Sequence, residues 1–404
     1  MTRARLGAEV FDLPVPELRI GYRSAVYFTR TKRVLEAEQP DTVATIQVFQ
    51  KDSSVLAGID EALAILRVGA GSWADWGRAT ELFDDYLAAR LEARSRRLDD
   101  PEAALRAQLR QVQLAAELDR VWRPGFDQLE VTALRDGDRI GPWETVLLIT
   151  GPLHLFAHLE SVYLGVLARR TKVATNVAAV VEAARGKPLL FFADRFDHFA
   201  TQGGDGYAAF IAGARGVATN AMAAWWGDQG LGTMPHALIA AFHGDTVAAS
   251  GAFARHVGDV DLVALVDFNN DCVGDSLACA RAFGDRLWGV RLDTAQTMVD
   301  RSITPEMMGD FNPTGVNVPL VELVRHGLDA EGFDHVRIIV SGGFDPARIA
   351  SFEEQGAPVD AYAVGSWLLR GSRDFTADVV AVDGEPIAKA GRHLRPNPRL
   401  EPVT

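Results

Sequence analysis

The chain has 404 residues, 48% hydrophobic and 24% charged, the make-up of a globular protein of two or three domains. Its net charge, 41 − 54 = −13, argues against a nucleic-acid-binding surface. No apolar run reaches transmembrane length, MTRARLGAEVFDLP lacks a signal-peptide core, and Cys272 and Cys279 are too few for a disulfide framework; a cytoplasmic protein with two buried free thiols, away from membranes, is expected.

In chain order, residues 24–36 are expected to form a helix, and TVATIQVF at 42–49 alternates like a strand. Residues 54–68 are apolar at helical spacing. Residues 77–120, rich in Ala, Leu, Arg and Glu, read as two or three helices. The pattern breaks at Asp100-Pro101, where Pro101 suits a first helical turn. Strands are expected at 131–140 and 144–149, joined by a Gly-Pro turn, and a long apolar helix at 153–170.

From about residue 186 the texture changes. Short continuous apolar runs appear: PLLFF at 188–192, LVALVD at 262–267, WGVRLD at 288–293, RIIVSG at 337–342 and DAYAVG at 360–365. Helix-length segments separate them, the pattern of a parallel sheet covered on both faces. Polar residues and glycines gather where the runs end. In an α/β barrel that end carries the active site, and an open doubly wound sheet would place ligands there too. The tail FTADVVAVDGEPIAKAGR reads as a hairpin around Asp383-Gly384 that returns to the N-terminal domain. The expected division is a mixed α+β domain at 1–165, joined by 374–404, and an α/β barrel domain at 166–373.

The segment VSGGFDPARIASFEEQGAPVDAYAVGS contains two strands, each closing on small residues: Ser341, Gly342 and Gly343, then Gly365 and Ser366. Glycine at a strand end lets backbone approach a ligand, and a helix starting just after it aims free N–H groups outward. Two such turns one βα unit apart match the phosphate site of a β/α barrel; two ordinary tight turns are the plainer explanation. His236, in GLGTMPHALIA, is expected at a helix or strand start, as a structural histidine or as a nucleophile toward a phosphoryl group. Arg291 and Asp293 are two apart in one strand and so face the same way. They fit an internal ion pair, or an anion site beside a carboxylate for ribose hydroxyls or a metal ion. Arg195, after PLLFFAD, needs a partner or an anion, and Phe191 or Phe192 is either core or a ring face beside it.

Taken together, ITGPLHLFAHLESVYLGVLARRTKVATN, FFADR, GTMPHAL, GVRLD, VSGGFD and AVGS resemble nicotinate phosphoribosyltransferase in order and spacing. The resemblance runs from about residue 20 to 395, with YFTRTKRVL and VRLDT closest to the archaeal-type branch. It implies an irregular β/α barrel of the type II phosphoribosyltransferase kind with a mixed N-terminal domain, and a homodimer with shared active sites. It implies that nicotinate and phosphoribosyl pyrophosphate give nicotinate mononucleotide and pyrophosphate, with coupled ATP hydrolysis and Mg²⁺. By matched motif, His236 is the histidine that becomes phosphorylated, and Arg195 the arginine beside pyridine and pyrophosphate. Arg291 and Asp293 lie near base and ribose, with Asp267 and Phe192 among the substrate contacts. Ser341, Gly342, Gly343, Gly365 and Ser366 form the 5′-phosphate loops. Tyr27, with Tyr22 competing, stacks on the base from the partner subunit.

This chain departs from the pattern in reading Arg195-Phe196 for two arginines, VDFNND for VDTYDT, and RLDTAQ, with Ala295 and Gln296, for RLDSGD. Asp267 survives, and Asn270 or Asp271 is expected to replace the lost acid. Nicotinamide-using relatives carry an aspartate where this chain has Ala218 and Thr219, which favours a carboxylate substrate. Quinolinate phosphoribosyltransferase shares the fold but needs a more basic pocket; a non-catalytic paralogue that binds phosphoribosyl ligands is the remaining alternative.

Overall fold

The structure is a computed structural model and describes residues 4–258, 260–309 and 311–403. It divides into two compact units, Met1–Thr171 with Ser372–Thr404, and Lys172–Gly371.

The first unit is built on an antiparallel five-stranded sheet. Its strands are β1 (Val43–Gln50), β2 (Glu130–Ala133), β3 (Thr145–Pro152), and two from the end of the chain. Those last two, which we number β10 (Phe375–Val382) and β11 (Glu401–Pro402), give the order β10-β1-β3-β2-β11. Ile46, Val48, Val131, Ile149 and Phe375 from the sheet pack on Ile59, Leu63 and Leu66 of α2 (Ile59–Gly69). That helix begins later than its apolar pattern, because Ser54–Val55 is a short strand and Gly58 takes φ 91° just before the first turn. α3 (Trp76–Arg96) and α4 (Pro101–Val121) form a helical pair capped by Asp75 and Asp100, with Pro101 at the first position as expected.

Three further expectations for this unit are corrected. The strand expected at 131–140 stops at Ala133, and Arg139–Ile140 pairs separately with Ser54–Val55. The helix expected at 153–170 is instead a short helix Leu153–Phe156, a 3₁₀ turn Ala157–Leu159, and then α5 (Glu160–Ala183). The tail does not form a two-stranded hairpin. Asp383 and Gly384 do turn, at φ 49° and 83°, but only the single bridge Val382–Glu385 follows. β10 spends its hydrogen bonds on β1 instead.

α1 (Val26–Glu38) is unusual in that its single buried residue is Lys32. The ammonium donates to the carbonyls of Gly71 and His154 and lies 3.0 Å from Glu36. Glu36 also accepts from the Trp76 indole N–H. Burial depresses the Lys32 pKa to about 8, against the opposing pull of Glu36.

The second unit contains six parallel strands: β4 (Leu189–Phe191), β5 (Gly216–Val217), β6 (Leu262–Leu265), β7 (Leu287–Leu292), β8 (Arg337–Val340) and β9 (Ala361–Val364). Their order is β6-β7-β8-β9-β4-β5, an irregular β/α barrel that β5 and β6 leave unclosed among the described residues. The helices of this unit include α6 (Gln202–Ile211), α7 (His236–Ala241), α8 (Thr246–His256), α9 (Cys272–Phe283), α10 (Val318–Ala330) and α11 (Pro346–Glu354). The continuous apolar runs are explained by burial on both faces: Ala264, Val290, Ile338 and Tyr362 are buried on one side, and Val263, Ile339, Ala361 and Ala363 form a small cluster on the other. Cys272 and Cys279 are both free and buried.

Candidate active site

The strand register sets the geometry. Leu265, Arg291, Ile339 and Ala361 are neighbours across β6, β7, β8 and β9. Side chains two residues further along share their face. Asp267, Asp293 and Ser341 are therefore carried to the C-terminal rim of one face of the sheet, with Gly365 at the end of β9.

Two contacts knit this rim. His236 begins α7, and its Nε2 lies 3.0 Å from Asp267 Oδ2. The imidazole is 44% exposed while Asp267 is nearly enclosed, so the histidine presents its other nitrogen outward. Burial raises the Asp267 pKa, with the His236 hydrogen bond working the other way, and its Oδ1 is buried without a partner. Asp293 Oδ1 accepts from the Ser341 hydroxyl at 2.7 Å, and that hydroxyl also reaches the Leu292 carbonyl at 3.2 Å.

Arg291 lies between these pairs. Its Nη2 is 3.4 Å from the Met234 carbonyl, and its buried Nε has no partner. Burial lowers its pKa, offset by the charges of Asp293 and Asp267. Asp293 acts on it through charge, with no hydrogen bond between the two among the described residues. A half-buried guanidinium with an unmet N–H is suited to a ligand anion.

Arg195 is exposed in the turn after β4, with its guanidinium 5.2 Å from the Phe196 ring. Phe191 is wholly buried core, whereas Phe192 is partly buried against the small inner cluster. The Phe196 ring and the Phe192 carbonyl crowd Gly365, where a Cβ would fall 2.4 and 2.7 Å from them.

Both glycine turns offer backbone donors. Gly342 and Gly343 take φ 90° and 74° in succession. The N–H groups of Gly342, Gly343, Gly365 and Ser366 meet no acceptor among the described residues. The helix after the first turn is less open than expected, because the Asp345 carboxylate caps α11. Ser366 starts only a 3₁₀ turn, Ser366–Leu369. The donors thus lie in the turns themselves.

Asn270 and Asp271 are committed locally. Asn270 donates to the Val299 carbonyl at 2.7 Å, and Asp271 caps α9. Tyr22 and Tyr27 are in the other unit, both exposed, with Tyr22 against Phe83 and Tyr27 against Phe28. Sequence reading missed Arg348, which reaches the carbonyls of both glycines; an arginine three residues after a helix cap carries no motif of its own. Among the described residues no three His, Cys, Asp or Glu side chains converge as a metal cluster. Asp267, with its unpartnered Oδ1, and Asp293 are the rim acids whose oxygens would suit a hard divalent cation.

No protein-family model matches the chain. The nicotinate phosphoribosyltransferase pncB1 of Mycobacterium tuberculosis is 30% identical over 270 residues, covering 64% of this chain and 55% of that protein. This chain spans about half the length of the curated relatives it matches. Among solved structures, a nicotinate-nucleotide pyrophosphorylase from Pyrococcus furiosus superposes with TM-score 0.69 at 28% identity, covering 97% of this chain and 82% of that one. The human nicotinic acid phosphoribosyltransferase superposes with TM-score 0.60 at 16% identity, covering 90% and 75%, a likeness of fold. The resemblance first carried by six short motifs therefore holds across most of the chain, which is related in sequence to curated nicotinate phosphoribosyltransferases.

Proposed function

We propose that the protein is a nicotinate phosphoribosyltransferase of NAD biosynthesis. The observation that carries this reading is the gathering, at one end of a parallel sheet, of the His236–Asp267 pair, the unmet Arg291 guanidinium and two glycine turns with free N–H groups. The relatives named above support it.

In this reading, the glycine turns and Ser366 hold the 5′-phosphate of phosphoribosyl pyrophosphate. The pyridine nitrogen of nicotinate bonds to the anomeric carbon as the carbon–oxygen bond to pyrophosphate breaks, its electron pair leaving on pyrophosphate. Asp293, held by Ser341, lies near the ribose, where a carboxylate stabilises oxocarbenium character. Arg195 and Arg291 meet the nicotinate carboxylate and the leaving pyrophosphate, and Phe192 supplies apolar contact. Magnesium would be held by Asp267 and Asp293 with the substrate's own oxygens, and ATP would supply the phosphoryl group for His236. Asp267 occupies Nε2, which leaves Nδ1 as the accepting nitrogen.

The partner chemistry is two small anionic substrates, with a homodimer in which Tyr27 of a second copy covers the pyridine. Exposed Val26, Tyr27 and Val34 on α1 suit such a contact. The chain division at 165 and 373 belongs to the same proposal, as does a cytoplasmic location. Among the described residues no helix is long and apolar enough to cross a membrane.

Pyrophosphate release measured in parallel with nicotinate, nicotinamide and quinolinate tests the reading. Release with nicotinate alone is expected. Release with quinolinate, or with none of the three, would overturn it.

A further inference from the structure

We propose that Arg348, assisted by Gln296, is a positioning residue that holds the Gly342–Gly343 turn in shape as a phosphate cradle. The proposal rests on the phosphoribosyl reading of this turn. Arg348 lies in the first turn of α11, and its guanidinium folds back under the preceding loop. Nη1 donates to the carbonyls of Gly342 at 2.8 Å and Gly343 at 3.3 Å, and Nη2 donates to the carbonyl of Val316. One face of the guanidinium covers the Phe344 ring at 4.2 Å, with Phe352 at 5.9 Å. Gln296 Nε2 donates to the Gly343 carbonyl from a second direction, at 3.2 Å.

The consequence follows from peptide geometry. In a planar trans peptide the C=O and the next N–H point in opposite directions. Drawing the carbonyls of Gly342 and Gly343 onto Arg348 therefore turns the N–H groups of Gly343 and Phe344 away from it. Neither N–H has an acceptor among the described residues. Two successive glycines at positive φ are the least self-supporting backbone a loop can have, since glycine leaves that conformation at little cost. The fixed carbonyls remove that freedom before any ligand arrives, which is how a preorganised donor pair keeps its strength. An acid in place of Gln296 would present only acceptor oxygens to the Gly343 carbonyl, whereas the amide donates to it.

The test uses ribose 5-phosphate as a probe for the turn, titrated calorimetrically into the full-length protein, R348M, R348K and Q296A, alongside steady-state kinetics. R348M is expected to weaken ribose 5-phosphate by about tenfold or more and to raise the KM for phosphoribosyl pyrophosphate, with nicotinate binding unchanged. R348K, which keeps one donor, should recover part of the loss, and Q296A should show a smaller loss of the same kind. If R348M does not fold, R348K and Q296A carry the comparison. Unchanged ribose 5-phosphate affinity in the folded variants, or an equal loss of nicotinate affinity, would overturn the proposal, as would an unmodified protein that does not bind ribose 5-phosphate. Arg348-dependent binding of the probe in a protein that does not turn over nicotinate would support the cradle and remove only the nicotinate assignment.

Discussion

The His236 imidazole and the Asp267 carboxylate, 31 residues apart in the chain, meet at 3.0 Å through Nε2 and Oδ2. The pairing fixes which ring nitrogen is free and ties α7 to the end of β6. In the proposed reaction, His236→Ala should abolish nicotinate-stimulated ATP hydrolysis while leaving some phosphoribosyl transfer at high substrate. Asp267→Asn should lower the stimulated ATPase by about tenfold or more, the scale of a lost charge-assisted hydrogen bond. Because the two act as a unit, the double variant should be no worse than His236→Ala. Burial raises the Asp267 pKa, so protonation of this carboxyl should enter the acid limb of the ATPase pH profile at a higher pH than an ordinary aspartate would, and that contribution should be lost in Asp267→Asn. An ATPase unaffected by His236→Ala would refute the phosphoryl-acceptor role.

The glycine turns should tolerate no side chain. At Gly343 a Cβ would fall 2.0 Å from Gln296 Nε2, on backbone at φ 74°. At Gly365 the obstacle includes the Phe192 carbonyl, at 2.7 Å, which cannot swing aside as a side chain can. Gly343→Val and Gly365→Ala should each weaken phosphoribosyl pyrophosphate by about 1–3 kcal/mol, with a smaller effect on the melting temperature. Normal binding by Gly343→Val would falsify the loop assignment.

Substrate choice should favour the acid over the amide. The Thr219 hydroxyl is committed, accepting from Met222 N–H and donating to Gln202 Oε1, both at 3.1 Å. Ala218 has no acceptor in its side chain. Burying an unpaired amide donor costs about 1–3 kcal/mol, so kcat/KM should favour nicotinate over nicotinamide by about tenfold to a hundredfold or more. Thr219 caps the short helix Asn220–Ala223, a role aspartate also fills, so Thr219→Asp or Ala218→Asp should narrow the gap. Comparable kcat/KM for the two substrates in the unmodified protein would refute this account.

Lys32 should leave a signature in stability. Its pKa falls from 10.5 in the unfolded chain to about 8 in the fold. Between those values the unfolded chain holds a proton that the folded one has released, so stability rises with pH across that window. Below pH 8 the full burial cost, on the order of 3 kcal/mol, is present. Chemical denaturation from pH 7.5 to 10 should show this rise, and Lys32→Met should flatten it. The same slope in Lys32→Met would assign the effect to another group.

The barrel strands were legible because burial on both faces produces short continuous apolar runs, here set between helix-length segments. β5 escaped because a two-residue edge strand has no period to read. The break after Leu153–Phe156 escaped because apolar spacing does not register a 3₁₀ turn. The rim residues themselves were legible by position, as polar groups ending apolar runs. Their partners were not: Ser341 and Asp293 are 48 residues apart, and only strand order brings them together. Lys32 was the least legible, since a lysine in a polar helix ordinarily faces solvent.

The pairing of β10 with β1 joins Gln50 to Phe375 and Ala44 to Val382. On a ribosome, β1 emerges hundreds of residues before the strand that covers its edge, and the entire parallel sheet is synthesised in the interval. Until then the nascent chain carries an uncovered, largely apolar sheet edge, the kind of surface that recruits other chains. A chain ending before Phe375 would retain that exposure permanently, so termination between β9 and β10 should yield aggregates rather than a folded, shortened protein.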